Sequence, residues 1–449
     1  MVKKITVLGI ITLVLASITT TALAQKEELQ AGPMLGYVEM QEANIWLQTK
    51  DQADIEIRYW VKEEEKAAVH SYTGQTVGAE SFSKHIKLTD LEYGTTYEYD
   101  LYLNGEKVAF SYPTEFTTQN LWQWRTDPPA FTVAFGSCFY VNDAKYDRPG
   151  DPYGTSPEIL KTIYQKKPDL MLWTGDNVYY REPDFYSVAR MDYRYRDARD
   201  TPEMQPLLAG AINLATWDDH DYGPNNSNRS YRMREEALDI FERYWANPGS
   251  NDAGVYTKYK YNDVEFFLLD DRYFRAPNGL NDSTKAYFGE QQMQWLKDGL
   301  VSSSAAFKVV VNGNQVTNVN NTHESFPMYK KEFHELMGFL AEEKVEGVLF
   351  LSGDVHYGQL LKTERKGLYP LYEFTSSPLT AGVYEIADSE EKYDNPLHVK
   401  GTLVTEYNFG MITVSGPRRD RVLTLQSFDR NGNLLWEREI TREELSISK

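Results

Sequence analysis

The sequence predicts two folded parts in series, an all-β sandwich followed by a larger layered α/β domain. Three observations carry that prediction. Apolar and polar residues alternate with period two through roughly the first ninety residues after an apolar leader. Short, buried-looking runs then alternate with helical segments through the rest of the chain. Polar residues of metal-ligand type recur where those apolar runs end. With 449 residues, 41% of them hydrophobic, the chain is long enough for two domains and too apolar for bulk disorder.

The leader comes first. Lys3 and Lys4 form a basic start, Ile5 to Ile18 is apolar apart from small residues, and Ala22-Leu23-Ala24 precedes Gln25. This is the three-part pattern of a cleavable signal peptide over 1–24, and its apolar run is short for a span of about 20 residues. No cysteine follows it and no arginine pair precedes it, which argues against lipid attachment and twin-arginine export. The expected mature chain is exported, periplasmic or extracellular, with no transmembrane anchor.

The sandwich is expected over 25–120. Ala43 to Gln48, Ile55 to Trp60 and Tyr97 to Tyr102 alternate as half-buried strands do, and Asn104-Gly105 is a hairpin turn. Leu91 to Tyr97 resembles the tyrosine corner of fibronectin type III-like sandwiches. Its expected role is that of a scaffold. Leu121 to Pro129, with Trp122, Trp124 and a proline pair, reads as a surface-packed linker.

The second domain is expected over 121–449. Its buried strands are read at Phe131 to Phe135, Leu170 to Thr174, Ile212 to Thr216, Val264 to Asp270, Phe307 to Val311 and Val348 to Leu351. Helices are read at Ser156 to Gln165, where Ser-Pro suits an N-cap, and at Tyr231 to Trp245, Glu290 to Leu300 and Tyr329 to Ala341. Strands after His356, among them Tyr372 to Phe374, Gly410 to Val414, Val422 to Ser427 and Leu434 to Glu439, suggest a second sheet packed on the first. Tyr180 to Pro206, rich in Arg, Asp and Tyr, reads as a long crossing segment.

Charge and cysteine content narrow the function. The formal net charge is −19, and loss of the two leader lysines takes it to −21, which opposes binding of long nucleic acids. Cys138 is the only cysteine, so no intramolecular disulfide forms; it is a buried apolar group, a reactive thiol or a metal ligand.

The ligand-type residues lie at five strand ends. They are Phe135-Gly136-Ser137-Cys138, Trp173 to Tyr179, Trp217-Asp218-Asp219-His220-Asp221, Asn312 to Gln315, and Ser352-Gly353-Asp354-Val355-His356. Packing three carboxylates as closely as 217–221 does is costly without a cation or a hydrogen-bond network, although an acidic surface turn is the plainer reading of that stretch alone. In open α/β sheets the loops at the carboxyl ends of strands converge on one crevice. The residue types fit a two-metal centre. A carboxylate such as Asp176 can bridge two cations, thiolate and phenolate suit a transition metal, and carboxylate or amide oxygen also suits a hard cation. His70, His85, His323, His334 and His398 fall outside these motifs and read as surface or structural.

Gly175-Asp176-Asn177-Val178-Tyr179, Trp217 to Asp221 and Gly353-Asp354-Val355-His356 resemble the pattern of PhoD-type alkaline phosphatases, metallophosphoesterases related to purple acid phosphatases. The Phe-Gly-Ser-Cys strand end and Thr375-Ser376-Ser377-Pro378 look like elements of the same family, and the resemblance spans Pro129 to Val414. It implies a four-layer αββα metallophosphoesterase domain behind the sandwich. It further implies metal ligation by Cys138, Asp176, Tyr179, Asp219, Asp354 and His356, with Asp176 bridging. His220 would act toward substrate as general acid or phosphate donor, and Asn225 would help hold the phosphate. The implied cofactor is a dinuclear or multinuclear centre, Fe³⁺ with Ca²⁺, and the implied reaction is hydrolysis of small phosphomonoesters and diesters by a metal-activated water. Two departures stand out: there is no twin-arginine leader, and the loop around Asn314 and Gln315 matches poorly, so no ligand is assigned from it. Asp218 reads as a supporting carboxylate. Arg194 and Arg196 suit pairing with carboxylates better than phosphate contact. The alternatives are a phosphodiesterase specific for phospholipid or nucleotide, and a non-catalytic surface-binding protein.

Overall fold

In a computed structural model, the structure describes residues 28–64, 68–249, 253–321, 324–387 and 389–447. The expected signal peptide over 1–24 and His323 lie outside the described residues. Among these residues no helix is long and apolar enough to cross a membrane.

The N-terminal part is a β-sandwich. Strands β1 (Leu29–Val38), β2 (Ala43–Thr49) and β5 (Ser83–Leu88) form one antiparallel sheet in the order β1-β2-β5. The other sheet runs β4 (His70–Gln75), β3 (Asp54–Val61), β6 (Thr96–Leu103) and β7 (Glu106–Lys107), with β8 (Glu115–Thr117) also paired to β6. The alternation in sequence becomes alternation in burial, with every second residue of β6 inside. Asn104 and Gly105 both take positive φ (50° and 84°), the geometry a two-residue hairpin loop needs. The Glu92 N–H donates to Tyr97 Oη at 2.8 Å, closing a corner before β6. Trp122 is nearly buried, whereas Trp124 stands 92% exposed.

The second part holds two six-stranded mixed sheets. In one, β9 (Phe131–Gly136), β10 (Leu170–Thr174) and β11 (Ile212–Thr216) run parallel, and β18 (Asn408–Ser415), β19 (Val422–Asp429) and β20 (Leu434–Thr441) continue from β9 antiparallel. The other is ordered β12-β13-β14-β15-β17-β16, namely Thr257–Tyr261, Val264–Leu268, Phe307–Val311, Val348–Ser352, Leu371–Thr375 and Gln359–Thr363. Its four central strands are parallel and its two edges antiparallel. Each central strand is buried throughout, as apolar runs such as Phe307–Val311 require. The sheets face each other through Phe135, Phe374 and Trp436, whose successive ring centroids lie 4.7 and 4.6 Å apart.

Three expectations change here. The strands after His356 do not make a separate sheet: β16 and β17 extend one sheet and β18 to β20 the other. The crossing segment contains helix Val188–Arg199, followed by helix Gln205–Gly210. Ser156 does not cap, because the helix begins at Ile159 with Glu158 already in helical conformation. The remaining long helices are Arg234–Tyr244, Gly289–Ser302 and Lys330–Glu342.

The two parts touch closely. The Gly32 N–H donates to Gln205 Oε1 (2.8 Å) and Trp46 Nε1 to the Arg243 carbonyl (2.8 Å). At Gly36 a Cβ would sit 2.5 Å from that of Ala246, so any larger residue would separate strand from domain. One apolar cluster runs from Ile45 and Leu101 through Val133 to Val309 and Phe350, which joins sandwich and sheets into one core.

Candidate metal centre

Because β9, β10 and β11 are parallel, and likewise β13, β14, β15 and β17, their carboxyl ends bring the loops that follow them into one region. Cys138 follows β9, Asp176 and Tyr179 follow β10, Asp218 to His220 follow β11, and Asp354 and His356 follow β15. Several of these residues sit in the left-handed region, with φ of 59° at Cys138, 53° at Asp176, 68° at Asp354 and 61° at His356. Non-glycine residues pay of order 1–3 kcal/mol for such backbone, and it persists at sites that the surroundings over-determine. The turns thus point ligand-type side chains inward instead of letting the chain run on.

Three overlapping groups of donor atoms result, each within 4.8 Å: Cys138 with Asp176 and His356, Asp176 with Asp219 and His220, and Asp218 with Asp219 and Asp354. Asp176 and Asp219 are shared. Tyr179 Oη donates to Asp176 Oδ2 at 3.0 Å and lies 3.3 Å from His356 Nε2, so it belongs to the first group. Its ring also stacks near His220, with centroids 4.3 Å apart. The Cys138 thiol lies 3.6 Å from Asp176 Oδ2 and receives a hydrogen bond from Ser377 Oγ at 3.1 Å. Ser377 Oγ in turn accepts the His356 N–H at 3.1 Å, which occupies this hydroxyl in holding ligands.

Helix Asp219–Tyr222 begins inside the cluster. Asp218 caps it, accepting the Asp219 N–H at 2.9 Å, while Asp221 accepts the N–H groups of Asp218 (3.0 Å) and Asn177 (2.7 Å). The His220 N–H donates to Asp176 Oδ1 at 3.2 Å. Asp219 Oδ2 accepts the Asn226 N–H at 2.5 Å, whereas Asn225 is exposed beside it. Asp218 is held from behind: Arg272 Nε donates to its Oδ1 at 2.5 Å and Asn314 Nδ2 to its Oδ2 at 2.7 Å. The loop at 312–315 therefore supplies Asp218 with a partner, and its Gln315 amide goes to Thr375 Oγ1 at 3.1 Å. Arg272 and Arg275 share the Glu324 carboxylate, at 2.6 and 3.0 Å. Arg194 is buried against Asp184 at 3.0 Å, away from any phosphate role.

The electrostatics describe a site short of positive charge. Burial, reinforced by Cys138 and the neighbouring aspartates, pushes Asp176 well above the carboxylate range. Burial, then Glu324 and Asp219, does the same to Asp354. Burial raises the Cys138 thiol, and burial with Asp176 beside it raises the Tyr179 phenol. Burial works against ionised Asp219 too, but His220, Arg272 and the Asn226 N–H hold it at about 2. Burial lowers both His220 and His356, disfavouring their charged forms. Two buried atoms, Asp219 Oδ1 and His220 Nδ1, have no hydrogen-bond partner among the described residues. Buried orphans of this kind need an explanation, and anionic donors that lack a counter-charge supply it: the donor set fits cations.

Sequence reasoning did not find Arg272, Arg275 or Glu324. Arg272 and Arg275 lie in the loop after β13 and Glu324 in the segment after β14, and only the fold brings them together behind Asp218.

A two-sheet α/β fold with a Cys, Asp, Tyr and His cluster at its strand ends defines a metallophosphoesterase. The sequence profile of the PhoD-like phosphatases matches residues 150–420, and the chain belongs to that family. The profile of a domain of unknown function, DUF7800, matches residues 26–121. A solved structure described as the structure of PhoD is 17% identical, with a TM-score of 0.74, covering 92% of this chain and 92% of that one; at this identity the likeness concerns the fold. The solution structure of the fn3 domain of human contactin 1 is 17% identical over 22% of this chain and 83% of that one, with a TM-score of only 0.18. No curated protein matches. The chain is a metal-dependent hydrolase of phosphate esters, and its Asp, His and Cys cluster is suited to coordinating one or more metal ions.

Proposed function

We propose that the chain is an exported dinuclear phosphoesterase whose two cations share Asp176. Cys138, Asp176, Tyr179 and His356 form the first ligand set, and their thiolate and phenolate donors suit Fe³⁺. Asp176 adjoins Asp219 in one donor group and Asp219 adjoins Asp354 in the next, so these three carboxylates would supply the second, all-oxygen set suited to Ca²⁺. The observation that carries this reading is the sharing of Asp176 and Asp219 between adjoining donor groups. Bound cations would supply the Lewis acidity that activates water and balances charge on the phosphoryl oxygens.

The chain's own residues have separate tasks. His220, fixed by its N–H to Asp176 and by the Tyr179 ring, holds an imidazole at the cluster's edge, where it can donate to the leaving oxygen. Asn225, on the exposed turn after the short helix, would donate to a phosphate oxygen. Arg272 donates to Asp218, and Asp218 fixes the helix that carries Asp219 and His220. The domain plan proposed with this function is a signal peptide over 1–24, a fibronectin III-like sandwich over 25–120 serving as scaffold, and a four-layer αββα catalytic domain over 121–449.

Metal analysis of the purified protein, paired with hydrolysis of p-nitrophenyl phosphate and bis-p-nitrophenyl phosphate before and after chelation, tests the proposal. Bound transition metal together with chelator-sensitive release of p-nitrophenol is expected. Hydrolysis that survives complete metal removal would refute it.

A further inference from the structure

We propose that a cavity adjoining the centre receives the leaving group of the substrate, and that this group is an uncharged, hydroxyl- or amide-bearing ring, glycosyl or nucleosyl. The inference rests on the phosphoesterase reading above. The cavity measures about 530 Å³, within the range of small-molecule sites. Asp354 lines it and belongs to the acidic cluster, so a phosphate at the cluster continues directly into this space.

The walls select by chemistry. One is an asparagine array of Asn318, Asn320, Asn321 and Asn395. Its members brace one another: Asn320 Nδ2 donates to Asn395 Oδ1 (3.2 Å), Asn395 Nδ2 to Asn318 Oδ1 (3.2 Å), and Asn318 Nδ2 to Gln315 Oε1 (2.8 Å). Tyrosines supply much of the remaining lining. Tyr357 and Tyr393 meet edge to face with centroids 6.3 Å apart, and Tyr384 stacks on His356 at 4.5 Å. Rigid amides together with ring faces are what a polar ring needs for hydrogen bonds and stacking.

Charge removes the competing classes. The acidic lining residues are Glu324, Asp354 and Asp394, and among the described lining residues there is no Lys, Arg or His. A second phosphate or carboxylate would meet acids with no cation to receive it. Glu324 is already paired with Arg272 and Arg275, and Asp354 lies in the cluster, so only exposed Asp394 remains to attract a cationic head group. An alkyl chain would cover Val355, Ile386 and the tyrosine faces but leave the asparagine amides without hydrogen-bond partners.

The test uses the purified, metal-loaded protein. kcat/KM is measured for a nucleoside 5′-monophosphate, a hexose 6-phosphate, phosphocholine, a long-chain alkyl phosphate and methyl phosphate. Either ring substrate is expected to exceed methyl phosphate by roughly 10²-fold, the two arms distinguishing nucleosyl from glycosyl. Asn395→Ala should reduce that ratio about tenfold or more through KM, with kcat on the ring substrate held within about twofold. Asn320→Ala, at an exposed position where folding is not at stake, should shift the ratio in the same direction. Equal rates for all five substrates, or a preference for phosphocholine or the alkyl phosphate, would overturn the proposal. Absence of hydrolysis with these substrates and with p-nitrophenyl phosphate alike would instead bring down the phosphoesterase reading on which it rests.

Discussion

Replacing Arg272 with methionine removes the one guanidinium that touches Asp218, and its consequences follow from burial. Arg272 and Asp218 are both fully buried, and the same guanidinium pairs with Glu324 at 2.6 Å and lies 3.5 Å from Asp271. Breaking a buried pair by removing one partner costs about 3–5 kcal/mol, because the remaining charge stays uncompensated. At about 2 °C per kcal/mol for a large domain, the cation-free protein should lose roughly 6–10 °C in Tm. Lys161→Met serves as control. Its surface pairs with Glu158 and Glu203 are screened by solvent, so this variant should melt with the parent. The Arg272 variant has a second signature: Asp218, Asp219 and Asp354 then present one more unbalanced charge to a cation, so added divalent metal should recover more Tm in the variant than in the parent. Thermal unfolding of both proteins with and without metal measures each effect. A variant that melts within about 2 °C of the parent in chelator would refute the assignment of Arg272 as the counter-charge to this cluster.

Two further outcomes follow from the donor set. If Tyr179 ligates Fe³⁺, the purified protein has a visible charge-transfer band that Tyr179→Phe abolishes, read by absorption spectroscopy; a band that persists in the variant contradicts that ligand. The pH dependence has a defined sign. Cys138, Asp176, Tyr179 and Asp354 are all raised in the cation-free fold. Below the ordinary carboxylate range folded and unfolded chains both hold the carboxyl protons, but with rising pH the unfolded chain ionises first, so the cation-free fold loses stability. Cation binding expels those protons, so metal affinity should be greater at about pH 8 than at about pH 6, with proton release visible in calorimetric titration.

Much of this fold was legible because its central strands are mainly apolar and end abruptly in polar loops. Leu170–Thr174, Ile212–Thr216 and Phe307–Val311 fall where the sequence places them, since strands buried on both faces carry mostly apolar residues, with Asn213 and Lys308 as exceptions. Edge strands Thr257–Tyr261 and Gln359–Thr363 escape that rule, because their partly exposed positions admit Lys and Thr. Helix Val188–Arg199 was hidden for a different reason: its buried face carries Arg194 and Arg199 instead of aliphatics. Arg194 is neutralised by Asp184, and Arg199 lies 3.8 Å over the Trp245 ring. Within the site, residues that follow a strand can be found by their spacing. Arg272 and Glu324 cannot, since they act only through contacts made by folding.

The central claim is that Asp176 joins two cations into one hydrolytic centre, and turnover by Asp176→Asn tests it most directly. The substitution keeps the shape of a side chain that accepts from Tyr179 Oη and from the His220 N–H, while removing the charge two cations would share. The account predicts a folded protein with the parent's circular dichroism, lower metal content and phosphate release reduced by about 10³-fold or more. Undiminished phosphate release from the folded, metal-analysed variant would contradict it.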